Sequence, residues 1–138
     1  MNRKMNHLAD FINHEDTLTA MLLSKVNSNL SAFIGNAKGS LFVYNCGRPQ
    51  IAQLNFNDKS EMPISALEYV PTYSSVLIGT DRGKISLVDI EAQKVTATFT
   101  KHGNAILALK TFQGQSSCFV SGSRDTTVRI WDIRQSPT

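Results

Sequence analysis

Apolar and polar residues alternate along most of this chain, in short runs separated by turn-forming residues. The clearest runs share a central alanine: "TLTAML" (17–22), "ISALEY" (64–69) and "ILALKT" (106–111). Alternation with a period of two is the spacing of side chains on one face of a β-strand. Segments 49–56 and 94–99 have the same character, and we interpret them as strands too. Segment 7–12, "HLADFI", is also strand-like, although taken alone it fits a helical turn.

The strands recur as a repeat that is anchored on three glycines. Gly35, Gly79 and Gly122 are 44 and 43 residues apart, and they align three segments without a gap: "FIGNAKGSLFVYN" (33–45), "LIGTDRGKISLVD" (77–89) and "VSGSRDTTVRIWD" (120–132). Each segment is typical of a strand, a tight turn and a second strand. Lys-Gly and Arg-Gly occupy the first two turns, and glycine suits a turn position with positive φ. In the third segment Asp125-Thr126 must form the same turn without glycine.

Four strands in each unit of about 43 residues favour an all-β radial array of sheets. Phe11 precedes His14 by three residues, as Phe99 precedes His102, and both histidines lie six residues before the central alanine. This match indicates that the chain begins with the last strand of a repeat unit. We therefore expect one domain over 1–138, with an orphan outer strand at 7–12 and blades at 14–56, 60–99 and 102–134, the last without its outer strand.

These phased units resemble the WD-repeat β-propeller family over residues 7 to 134, most closely in the third unit, where His102, "SGSRD" and "IWD" fit. The resemblance implies an all-β fold of four-stranded antiparallel blades, three of them in this chain. It also implies a structural hydrogen-bond tetrad in which a buried Trp131 indole bonds Ser121, Ser121 bonds His102, and His102 bonds Asp125. A buried indole N–H without an acceptor would cost about 1–3 kcal/mol.

The other two units depart from this pattern. The positions of His102, Asp125 and Trp131 are taken by His14, Lys38 and Tyr44 in the first unit and by Ser60, Arg82 and Val88 in the second. Those blades are expected to depend on apolar packing and to be less rigid, because they lack the polar tetrad.

His102, Ser121 and Asp125 are also the residue types of a hydrolase triad. The serine, however, lies within a predicted packed strand, and no Gly-x-Ser-x-Gly elbow exposes it. The glycine-containing stretch 35–40, "GNAKGS", lacks the Gly-Lys-Ser/Thr order of a phosphate-binding loop. We therefore predict no catalytic residue, no cofactor and no small-molecule substrate.

The composition of the 138-residue chain argues against several other classes. The net charge is +3, from 14 basic and 11 acidic residues, without a run of five Lys or Arg, so nucleic-acid binding is not expected. Cys46 and Cys118 have no CxxC spacing and no nearby His, which disfavours a metal site and suits reduced thiols in the cytoplasm or nucleus. No apolar run approaches the roughly 20 residues of a membrane span, and no secretory signal is recognisable.

The family resemblance implies a non-catalytic protein–protein interaction scaffold that binds other proteins through loops on its top surface. The residue before the turn Asp is expected on that surface, which nominates Arg124 and, by position, Asp81 and Ala37. Asn104 is expected beside Arg124, near the start of an inner strand.

Two alternative functions remain open. Segment 119–134 is similar to the motif of WD-repeat substrate receptors of cullin-RING ubiquitin ligases, in which the arginine at the position of Arg134 contacts the ligase adaptor. A nucleic-acid-associated propeller is the second alternative, and a salt-dependent gel shift would distinguish it.

An arc of three blades leaves two apolar end faces, whereas propellers close with about four to eight blades. Either the chain is the first part of a longer propeller, or two copies join head to tail into one ring. In the second case each 7–12 strand would close the third blade of the other copy, and self-association would complete the propeller.

Overall fold

The computed structural model describes residues 16–47, 50–56 and 61–135, and these residues form eleven β-strands, one short 3-10 helix and no α-helix. The strands are β1 (Leu18–Val26), β2 (Asn29–Asn36), β3 (Leu41–Asn45), β4 (Gln50–Leu54), β5 (Ile64–Val70), β6 (Ser75–Thr80), β7 (Ile85–Asp89), β8 (Lys94–Phe99), β9 (Ile106–Phe112), β10 (Gln115–Ser123) and β11 (Val128–Asp132). The 3-10 helix Pro71–Tyr73 connects β5 to β6.

Strands that are consecutive in the chain pair as antiparallel hairpins in three sheets. The first sheet has the order β1-β2-β3-β4, the second β5-β6-β7-β8, and the third β9-β10-β11. The predicted all-β fold of antiparallel blades is thus confirmed, with three strands in the third sheet among the residues described. The proposed strand at 7–12, and with it His14 and Ser60, lies outside the described residues.

The turn between the second and third strands of each sheet uses a left-handed backbone at the same position. Gly39 has φ 82° and Gly83 has φ 87°, as the sequence predicted. Thr126 occupies this position in the third sheet with φ 71°, which is uncommon for a β-branched residue. The carboxylate of Asp125 compensates, because it accepts hydrogen bonds from the Thr127 backbone N–H at 2.9 Å and the Thr127 hydroxyl at 2.6 Å.

The sheets pack face to face, and the second is covered on both sides. All six residues of β6 are buried, and they alternate between two cores: Val76 and Ile78 join the core shared with the first sheet, and Leu77 joins the core shared with the third. Because both faces of the sheet are covered, apolar residues follow one another from Val76 to Ile78 and do not alternate with polar ones. In the core shared by the first and second sheets, the Phe33 and Tyr69 rings are stacked with their centroids 6.1 Å apart.

Two of the anchoring glycines are required by the neighbouring sheet. A Cβ on Gly35 would lie 2.6 Å from Cγ2 of Ile64, and a Cβ on Gly79 would lie 2.7 Å from Cγ2 of Ile106. Distances this short are not tolerated between carbon atoms. Because each glycine has no side chain, an isoleucine of the adjacent sheet packs directly against its backbone. Ile64, the first residue of β5, packs on Gly35, and Ile106, the first residue of β9, packs on Gly79.

Candidate functional site

The structure brings the four residues of the predicted tetrad into one continuous chain of hydrogen bonds. The Trp131 indole N–H donates to the Ser121 Oγ at 2.7 Å, and that Oγ lies 2.6 Å from Nε2 of His102. On its other side His102 Nδ1 lies 2.7 Å from Oδ2 of Asp125. The indole can only donate, so a neutral imidazole satisfies the chain when the serine hydroxyl donates to Nε2 and Nδ1–H donates to the carboxylate.

The four side chains come from separate segments of the third sheet. His102 lies in the segment between β8 and β9, Ser121 in β10, Asp125 in the turn that follows, and Trp131 in β11. His102 is 5% exposed and Ser121 is fully buried. The tetrad thus joins the loop that enters the sheet to its middle strand, its turn and its third strand.

The Asp125 carboxylate is the most heavily bonded group of the tetrad. Its strongest partner is the Thr127 hydroxyl, and it also accepts from His102 and from the Gly103 backbone N–H at 3.0 Å. The Thr127 side-chain hydrogen bond, followed by those from His102 and the backbone, holds the pKa of Asp125 well below its usual range. The carboxylate is therefore ionised in the folded protein and favours an Nδ1 proton on the imidazole.

Trp131 is half-buried, and the expectation that it is buried was wrong. Its inner face packs on the aromatic core, with the Phe119 ring stacked at 6.0 Å and the Phe99 ring edge-on at 5.3 Å. The indole remains partly open because β11 is the last strand of its sheet in the described part of the chain, so no further strand covers that edge.

This arrangement cannot present a nucleophile. The Ser121 hydroxyl has no exposed surface, and it is held between an indole donor and an imidazole acceptor. A triad serine must instead reach a substrate carbonyl with its Oγ. Within residues 16–47, 50–56 and 61–135 there is also no group of three or more His, Cys, Asp or Glu that could hold a metal ion.

Two of the candidate partner-binding residues lie side by side at one end of the third sheet. Arg124 is exposed, and its backbone N–H donates to the Ala105 carbonyl at 2.9 Å. The neighbouring Ser123 hydroxyl donates to the Asn104 carbonyl at 2.9 Å. Asn104 and Arg124 therefore share a surface, and their backbones are fixed while their side chains are exposed.

The same backbone bond recurs in the second sheet, where the exposed Asp81 donates its N–H to the Pro63 carbonyl at 3.1 Å. Asp81 therefore lies at the equivalent end of its own sheet. We call this end the top surface and define it by residues 36–40, 80–84, 102–105 and 123–127. Arg134 follows β11 at the opposite end, where its guanidinium pairs with Asp132 at 2.7 Å. Nothing in this contact favours the ubiquitin-ligase interpretation.

Sequence reasoning missed the polar side chains that close the turns. Thr127 bonds both Asp125 and, at 3.2 Å, His102 Nδ1. In the first sheet the Asn36 side chain accepts the backbone N–H of Ser40 at 2.9 Å, and in the second the Thr80 hydroxyl accepts that of Lys84 at 3.2 Å. The first two sheets thus have polar turn closures of their own, and an Asn or Thr directly after the anchoring glycine is the sequence signal.

Comparison with known proteins agrees with this geometry. The family model "WD domain, G-beta repeat" matches residues 93–132, which contain β8 to β11. No helix in the described part of the chain has the length and apolar character needed to cross a membrane.

Several curated proteins are similar to this chain. The ribosome biogenesis protein ytm1 of Aspergillus clavatus is 32% identical over 124 residues, covering 82% of this chain and 25% of that protein. Its namesake in Neosartorya fischeri is 37% identical over 76 residues, or 53% of this chain and 16% of that protein. Periodic tryptophan protein 2 of Arabidopsis thaliana is 24% identical over 129 residues, or 87% of this chain and 14% of that protein.

This chain therefore spans at most 25% of the length of these three relatives. The repeat match falls on the sheet that carries the tetrad, and the other two sheets repeat its strand order and its turn geometry. Residues 93–132 are therefore a repeat of the WD type, and the three sheets together have the architecture of consecutive β-propeller blades.

Proposed function

We propose that the protein is a non-catalytic scaffold that binds other proteins through its top surface. The observation that carries the proposal is that, in the third sheet, the loop backbone is held by hydrogen bonds while residues on the loops are exposed. The tetrad and the Arg124 N–H bond to Ala105 hold the backbone, while the Arg124 and Asn104 side chains remain exposed. Rigidly held loops lose little conformational entropy when a partner binds, which favours affinity.

The process we propose is ribosome biogenesis, in the nucleus or cytoplasm. Support comes from the ytm1 relatives, which are named ribosome biogenesis proteins. The mixed charges of the top surface, with exposed Arg124 and exposed Asp81 on neighbouring sheets, favour a polar protein partner over a uniformly anionic one. The proposed partners are proteins; no membrane and no small-molecule substrate takes part.

The test is affinity capture from cell extract with quantitative mass spectrometry, comparing wild type with Arg124→Glu. Lys94→Glu is the matched control, because Lys94 is also exposed but begins β8 at the opposite end of the second sheet. We expect ribosome biogenesis proteins in the wild-type sample and in the control, and their loss from the Arg124→Glu sample. Equal recovery with both variants would exclude the top surface as the binding face.

A salt titration of the captured complexes tests the nucleic-acid alternative. Binding carried by protein contacts is expected to survive nuclease treatment. Binding through phosphates would be lost with nuclease and would weaken steeply with salt, since each phosphate contact releases a counterion.

A further inference from the structure

The first sheet exposes apolar side chains at positions that the second sheet buries. In β1, Leu18 is 49% exposed, Met21 75% and Leu23 59%. By register the equivalent residues of β5 are Ile64, Leu67 and Tyr69, which are 1%, 8% and 7% exposed because they pack on the first sheet. We call the surface formed by Leu18, Met21 and Leu23 the leading face.

The third sheet shows the same contrast on the other side of the array. In β11, Val128 is 73% exposed and Ile130 is 72% exposed. Their equivalents in β7, Ile85 and Leu87, are 0% and 2% exposed, because they belong to the core shared with the third sheet. We call the surface formed by Gly122, Val128 and Ile130 the trailing face.

Gly122 gives this face a specific geometry. Gly35 seats Ile64 and Gly79 seats Ile106, whereas a Cβ on Gly122 would meet nothing within 4 Å. Leu18 is the equivalent of Ile64 and Ile106, since it pairs with Asn36 at the same step of the register. The chain thus carries one open glycine seat and one exposed side chain of the kind that fills such a seat.

We propose that a second copy of this chain docks head to tail, with Leu18 of one copy seated on Gly122 of the other. The contact continues the interface that the chain already makes twice, between its first and second sheets and between its second and third. Because the two faces differ, the contact is heterologous, and two copies satisfy both faces if the rotation closes. Closure would unite six sheets, within the range of about four to eight blades seen in closed propellers.

The test is sedimentation analysis of the full chain over a range of concentrations. We expect wild type to reach twice the 15.2 kDa monomer mass. Leu18→Asp and Gly122→Val should each weaken association by about tenfold or more, because one inserts a charge into the contact and the other fills the seat. Lys94→Glu is the control, since Lys94 is exposed on β8 of the second sheet, which contributes to neither face, and it should associate as wild type does.

Mixing the two variants distinguishes head-to-tail docking from other dimers. Each variant alone has one blocked face and should be monomeric. The mixture should associate, because the leading face of the Gly122→Val copy and the trailing face of the Leu18→Asp copy are both intact. A wild-type monomer at every concentration, association that neither variant weakens, or a mixture that stays monomeric would overturn the proposal. Thermal melts of each variant, compared with wild type at concentrations low enough for wild type to be monomeric, are expected to match and show that folding is intact.

Discussion

At the scale of the residue, the tetrad is a chain of groups in which Ser121 is the junction. Its hydroxyl accepts the indole proton of Trp131 and lies 2.6 Å from His102 Nε2, and it has no exposed surface. Removing the hydroxyl leaves an indole donor and an imidazole acceptor unpaired in the protein interior. Unpaired buried groups cost more than the lost hydrogen bond itself contributes.

Ser121→Ala is therefore expected to lower the free energy of unfolding by roughly 1–3 kcal/mol. Urea denaturation followed by tryptophan fluorescence measures it, because Trp131 is the one tryptophan of the chain. Ser24→Ala in β1, a strand serine outside the tetrad, serves as control and should stay within about 0.5 kcal/mol of wild type. An unchanged midpoint for Ser121→Ala would show that the tetrad does not stabilise the fold.

The Asp125 carboxylate makes the stability of the folded protein depend on pH. Its folded pKa is lowered by the hydrogen bonds from Thr127 and His102, so its stabilisation is present above the unfolded value of about 4 and is lost as the pH falls below that value. We expect the melting temperature to fall progressively as the pH is lowered below about 4. Asp125→Asn, which cannot be protonated in this range, should reduce that drop. An unchanged pH profile for the variant would contradict the role assigned to Asp125.

The tetrad was predicted because the resemblance to WD repeats carries four positions onto the third unit of this sequence. The closing role of Thr127 was not predicted, although Thr127 lies two residues from Asp125, because it is not one of the four positions that the family pattern implies. The half-buried state of Trp131 was not predicted, although the absence of an outer strand from the third blade was. It depends on what covers the edge of β11, which is a property of neighbouring strands.

At the scale of the element, the strand pattern predicted most of the architecture. Segment 94–99 coincides with β8 and segment 64–69 with most of β5, because alternation is strong where one face is buried. Segment 17–22 covers only part of β1, which continues to Val26 with exposed and half-buried residues in alternation. The seating of Ile64 and Ile106 on glycines was not predicted, since it joins residues about 27 to 29 positions apart in different sheets.

Because Ile106 packs on Gly79 but no described residue packs on Gly122, the glycines of β6 and β10 should differ in their tolerance of a side chain. Gly79→Val is expected to destabilise the fold by about 1–3 kcal/mol, because the added carbon atoms would collide with Ile106. At concentrations low enough for wild type to be monomeric, Gly122→Val should leave the free energy of unfolding unchanged or slightly higher, since the space is open and valine favours strands. Denaturation of both variants measures the difference. Equal destabilisation by the two substitutions would contradict the inter-sheet packing described above.

At the scale of the whole molecule, a rigid frame is distinct from the surface proposed to bind partners. The frame consists of the cores shared between adjacent sheets, the packing of Ile64 and Ile106 on glycines, and the tetrad. The proposed binding surface consists of exposed residues at one end of the sheets: Arg124, Asn104 and Asp81. A consequence is that substitutions at the top surface should alter binding without altering stability. The free energy of unfolding of Arg124→Glu is accordingly expected to lie within about 0.5 kcal/mol of the wild-type value.

Hydrogen–deuterium exchange, measured on the protein alone and with a partner recovered by capture, tests the central claim most directly. The account predicts that the partner slows exchange in the top-surface segments 36–40, 80–84, 102–105 and 123–127. Segments 90–93 and 112–114, at the opposite end of the sheets, should exchange at the same rate in both samples. Protection confined to that opposite end, with the top surface unchanged, would contradict the account.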